Sequence, residues 1–138
     1  MDFNAKQMRE EALLKKGRYP FKVIQGREKT SANGTDMIVI KMILRVNNRD
    51  VPFWATLLFM PKMFWFVEHF CEATGMPEKI DEGRLMAQDC DGKEGYLEID
   101  HRTNKETGEI EAYVKDFIKP ENLEPEEKEK PFDDTIPF

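Results

Sequence analysis

Five basic residues, Arg27, Lys29, Lys41, Arg45 and Arg49, fall in a stretch that also carries Trp54 and is otherwise rich in β-branched and aliphatic residues. Cations track phosphates and flat rings stack on unpaired bases, at roughly 1–3 kcal/mol per base, so this interleaving suits single-stranded nucleic acid. Strand alternation sends Trp54 to the side opposite Phe53 and Ala55, where it is either a stacking platform or part of a core. Arg102, Asn104 and Lys105 form a polar turn that could close over a bound strand or simply be solvated. Tyr113 and Phe117 are further rings on alternate positions, for which core packing is the plainer role.

The end of the chain carries a second kind of chemistry. Residues 125–138 are acidic, show no amphipathic period and contain prolines, so they are expected to be disordered. They nevertheless finish in Ile136-Pro137-Phe138. Phe138 joins an aromatic ring to the α-carboxylate, a pair that an apolar pocket with a basic rim can capture. Asp133 and Asp134 would speed the encounter and touch that rim. A purely solubilising extension explains the acids and leaves the apolar tip unexplained.

Other chemistries fit less well. Asp81, Glu82, Asp89 and Asp91 could hold Mg²⁺, but they sit in one connector rather than on strands aimed at a common point. Asp89-x-Asp91-Gly92 lacks the later ligands of a calcium loop. His69, Cys71, Cys90 and His101 contain no Cys-x-x-Cys pair, and His69 and Cys71 point to nearly opposite sides of a helix. With no glycine-rich phosphate loop and no nucleophile arrangement, no enzyme activity, metal or cofactor is expected.

Charge distribution agrees with a nucleic-acid partner despite a net charge of −6, from 21 Lys and Arg against 27 Asp and Glu. The first 62 residues hold 12 basic and 6 acidic side chains, whereas residues 121–138 hold 2 basic and 7 acidic. One half can therefore present a basic face. No apolar run is long enough to span a bilayer and no secretory leader is visible, so a reducing cytoplasmic setting with free thiols is expected.

The elements that must position these groups follow from periodicity. Residues 4–16 read as a helix capped by Asn4, ended by Gly17 and docked on the body. Residues 19–29, 37–46 and 51–60 read as a three-stranded meander, with a small flexible loop at 30–36 and an Asn47-Asn48 turn. Residues 62–74 place Met63, Phe66, Val67, Phe70 and Cys71 on one helical face, and 84–87 could add a short helical turn. Strands at 96–102 and 110–118 follow. The fold class is mainly β with helices, and the order matches a five-stranded OB-fold Greek-key barrel with a helix between strands three and four. An open five-stranded sheet with the same helix would read alike. The organisation is an N-terminal helix (1–17), the barrel domain (18–120) and an acidic tail (121–138).

Residues 132–138, Phe-Asp-Asp-Thr-Ile-Pro-Phe, resemble the tail tip of bacterial single-stranded DNA-binding proteins, which ends in Asp-Asp-Asp-Ile-Pro-Phe. Five of the six terminal positions agree, with Thr135 replacing an aspartate. Over residues 14–120 the body resembles a family of small phage-encoded single-stranded DNA-binding proteins. The resemblance rests on Lys16-Gly17-Arg18-Tyr19, Glu28-Lys29-Thr30-Ser31, Gly34 with Met37-Ile38, Phe70-Cys71-Glu72-Ala73-Thr74-Gly75, Gly92-Lys93-Glu94-Gly95 and Val114-Lys115-Asp116-Phe117. It implies an OB-fold that coats single-stranded DNA during phage replication or recombination; assembly as a homodimer and a nucleoid-associated location in the bacterial host are separate expectations. It also implies a tail that recruits host or phage replication and recombination enzymes. It carries over no DNA-contact residue. The competing expectation is an adaptor or decoy that uses the tail alone to occupy a host pocket.

Overall fold

The computed structural model describes residues 1–128 and 132; the expectations for Asp133, Asp134, Ile136, Pro137 and Phe138 lie outside the described residues. Five antiparallel strands form one sheet: β1 (Gly17–Thr30), β2 (Asp36–Val46), β3 (Arg49–Leu58), β4 (Glu94–Thr103) and β5 (Ile110–Ile118). Their order is β3-β2-β1-β4-β5. β1 serves two partners. Its first part, from Gly17 to Lys22, pairs with β4, and its second, from Phe21 to Thr30, pairs with β2. A register shift between Val23 and Gln25 leaves Ile24 exposed beside that changeover.

Alternation decides which side is core. Phe21 and Val23 on β1, Ile38, Ile40, Met42 and Leu44 on β2, and Leu97 and Ile99 on β4 are all buried. The other face of β1 and β2 carries the polar and basic residues. Asn47 and Asn48 both adopt positive φ, 49° and 66°, so the two-residue turn joining β2 to β3 uses the tolerance of asparagine for that region.

Between β3 and β4 runs α2 (Phe64–Ala73), with Phe66, Val67, Phe70, Cys71 and Ala73 buried. It packs against β5 and β3. Phe117 is the hub of the core, its ring centroid 4.9 Å from Phe66, 5.1 Å from Phe70 and 5.3 Å from Phe21. Burial pushes the Cys71 and Cys90 thiols up to about 11 and about 12, as expected of free thiols in an apolar interior. A short 3₁₀ turn at Ala87–Cys90 lies so close to β1 that a Cβ on Gly26 would stand 2.6 Å from the Ala87 carbonyl oxygen. The Gly26 N–H donates to Asp91 Oδ1 at 2.8 Å. Asp89 accepts from the Met86 N–H at 2.9 Å and faces Lys79 at 3.7 Å, so these two carboxylates hold the connector together.

Three expectations are corrected, while the mainly β fold class with helices stands at the level of five antiparallel strands in one sheet. The N-terminal helix, α1, covers only Ala5–Glu11 and buries no residue, although Asn4 caps it by accepting from the Gln7 N–H. It ends early because Leu14 is drawn against the core and its carbonyl accepts from His101 Nε2 at 2.8 Å, which extends the chain into β1. The helical turn of the acidic connector is α3, Glu78–Glu82, closed by Gly83 at φ 68°, and not 84–87. The sheet is open: among the described residues no ladder joins β3 to β5, where the expected barrel would close. Residues 120–128, largely assigned to a disordered tail, form 3₁₀ turns at Pro120–Asn122 and Pro125–Lys128. Arg18 holds them, donating from Nη1 to the Asn122 carbonyl at 3.0 Å and to Glu127 Oε1 at 3.1 Å. Among the described residues no helix is long and apolar enough to cross a membrane.

Candidate nucleic-acid interface

The register places the predicted residues individually. Lys41 stands directly across from Trp54, Arg27 from Val39, and Lys29 from Met37. Directly opposed residues share a face, so Arg27, Lys29, Lys41 and Trp54 all project from the side of β1–β3 that turns away from the core. Trp54 is 55% exposed, which decides its role: it is a surface ring and not a core residue. Arg27, Lys29 and Lys41 are exposed and make no ion pair among the described residues.

Arg45 shares that face but is already engaged. Its Nε lies 2.7 Å from Asp50 Oδ1, and its guanidinium lies 4.8 Å from the ring centroid of Phe132, which is buried. Arg49 is separated from the set. It pairs with Val46, in the row that continues the core side of β2, so it emerges at the far end of the hairpin on the opposite face. Lys105 sits in the β4–β5 turn, which Asn104 shapes by accepting from the Glu106 and Thr107 N–H groups, and it does not join the others.

Arg102 does come near Trp54. Both line a cavity of about 340 Å³ that occupies the gap between β3 and β5, together with Trp65, Tyr113 and Lys115. Arg102 lies 4.5 Å from the Tyr113 ring centroid and donates from Nε to Glu111 Oε1 at 2.9 Å. Its hydrogen bond, followed by that from Asn104, holds the Glu111 carboxyl below its usual value. The guanidinium thus covers one face of Tyr113, and the ring is not a free platform.

Tyr113 and Phe117 face opposite sides although they are four residues apart, a spacing that unbroken alternation would put on one face. A register shift between Glu98 and Ile99 leaves Lys115 without a partner on β4 and reverses the parity of β5 beyond it. Lys115 is pulled to Glu98 Oε2 at 3.4 Å and Asp100 Oδ2 at 3.8 Å. The backbone N–H of His101, then Lys16 and Lys115, hold the Asp100 carboxyl below its usual value.

Three contributors escape the sequence reading. Trp65, 42% exposed, stands at the start of α2 in a stripe completed by Glu68, His69 and Glu72; a large ring on a charged stripe was the available sign. Lys115 becomes visible only through the bulge. Arg84, in the loop after α3, lines a cavity of about 540 Å³ with Lys29, Met37 and Phe59, and no periodicity links it to β1. The His69 Nδ1 faces Asp116 Oδ1 at 2.7 Å, a link from α2 to β5, and His101 is bonded to Leu14, so the two histidines hold separate parts of the scaffold. No protein-family model matches the chain, and no curated protein matches it.

Proposed function

We propose that this chain binds single-stranded DNA without regard to sequence, coating strands in phage replication or recombination within the bacterial cytoplasm. Its C-terminal tip would then recruit host or phage replication, recombination or repair enzymes. The observation that carries the reading is three cations, Arg27, Lys29 and Lys41, without an ion-pair partner among the described residues, on one sheet face with an exposed Trp54 directly across from Lys41. Phosphates ride on the cations and bases stack on the indole. The strand order supports an OB-type Greek-key barrel opened between β3 and β5, an architecture whose second and third strands commonly carry oligonucleotides.

The tail bears on the same face. Phe132 lies against Arg45, at the edge of the cationic surface. Tethered to the same chain, the acids of the tail would compete with a strand for these cations.

Fluorescence polarisation of labelled single- and double-stranded oligonucleotides tests this at several salt concentrations, with the full chain and with a version ending at Pro120. Three phosphate contacts give a log-log salt slope of about −2 on single strands, reaching about −2.8 if Arg45 on the same face also engages. The shortened version should bind more tightly. Absence of binding by both versions would sink the proposal and leave the adaptor reading.

A further inference from the structure

The gap between β3 and β5 differs chemically from the face beside it. Its two cations, Arg102 and Lys115, are each neutralised by carboxylates. Its two large rings, Trp54 and Trp65, are exposed and come from elements that share no hydrogen-bonded ladder. A site with neutralised charge and open indoles suits a flat neutral group better than a phosphate. Its volume of about 340 Å³ lies within the range of pockets that take small organic groups.

Lys41 stands across from Trp54, one strand in from the gap. A nucleotide whose phosphate lies on Lys41 can therefore direct its base outward past β3. We infer that the β3–β5 cleft is a base pocket, receiving single unstacked bases of a bound strand against the indoles of Trp54 and Trp65. This inference rests on the single-strand reading above and adds to it the source of discrimination against duplex. A base inside the cleft has left its stack and its partner, which only an unpaired strand allows without a cost of melting. Because every base has a π-face, the pocket is tolerant of sequence.

The chain contains two tryptophans, so each single replacement leaves the other as a site-specific fluorophore. In full-length Trp54→Phe protein, oligothymidylate should quench Trp65 emission. An abasic oligomer of equal length, bound to the same extent by polarisation, should leave it unchanged. Trp65→Ala should lower single-strand affinity about tenfold with duplex affinity unaltered, and Trp65→Phe should restore most of the loss. Normal binding of oligothymidylate with no change in Trp65 emission would overturn the pocket and leave the proposed function standing. Equal quenching by the abasic oligomer would overturn it too, since the response would then come from phosphates. If wild-type protein binds no oligonucleotide, the proposed function and the pocket fall together.

Discussion

The β1–β3 face and the β4–β5 pair carry the same kinds of side chain, yet they offer a ligand different things. On β1 and β2, Arg27, Lys29 and Lys41 face solvent without a carboxylate partner among the described residues. On β4 and β5 both cations are held: Arg102 by Glu111, and Lys115 by Glu98 and Asp100. A phosphate reaching the first region meets an unneutralised charge, whereas in the second it must displace an acid. Counting basic residues along the chain therefore misjudges where an anion binds; what matters is which cations the fold has left unsatisfied.

Removing the free cations is the strongest way to break the contrast. Each released phosphate contact changes affinity roughly fourfold near physiological salt, so replacing Arg27, Lys29 and Lys41 together by Ala should weaken single-strand binding about 50-fold and flatten the salt slope. Polarisation titrations at two ionic strengths measure both quantities. Trp54→Ala should cost about tenfold in affinity, with the salt slope retained because no charge is lost. The thermal unfolding temperature of that variant should fall only modestly, since the ring lies at the surface and more than half of the residue is exposed.

A third experiment sharpens the contrast by converting one region toward the other. Glu111→Gln releases Arg102, and affinity should rise by up to about fourfold, with the salt slope steepening by about 0.7. An unchanged slope would mean that Arg102 stays occupied by Tyr113 alone. The smallest effect concerns pH. Glu111 and Asp100 have folded-state pKa values below their usual ones, so their stabilising pairings are complete above the unfolded value and lost only as pH falls through the lower folded value. DNA affinity should consequently stay flat from roughly pH 8 to pH 5. A rise within that window would show that the β4–β5 carboxylates release their cations early.

Legibility in the sequence follows the range of the interaction. β5 is found at Ile110–Ile118 as its apolar pattern predicts, and the buried faces of β2 and α2 are those the spacing indicates. Alternation and a two-residue turn put Lys41 and Trp54 on one face, whereas Arg27 and Lys29 reach that face only through the register shift between Val23 and Gln25, which reverses the parity of β1 and which no local pattern announces. Arg49 is misjudged by one step of parity, which composition cannot reveal. Arg102 beside Trp54 is a long-range proximity between β4 and β3 that only the tertiary fold creates. Trp65 lies off the apolar face that spacing assigns to α2, on the charged stripe with Glu68, His69 and Glu72, but that it meets Trp54 across a cleft is a tertiary proximity. The early docking of residues 120–128 depends on Arg18, more than a hundred positions away, and no local pattern anticipates it.

The double service of β1 also sets an order of assembly. Its second half closes on β2 through a short loop, and β2 closes on β3 through two asparagines, so this meander forms with little loss of loop entropy. Pairing Gly17 with Ile99 joins residues far apart in sequence and is entropically the late step. That late step meets a strand already half fixed, which lowers its cost. A chain emerging from its N-terminus thus completes its cationic side first, before the gap beside Trp54 has acquired its far wall.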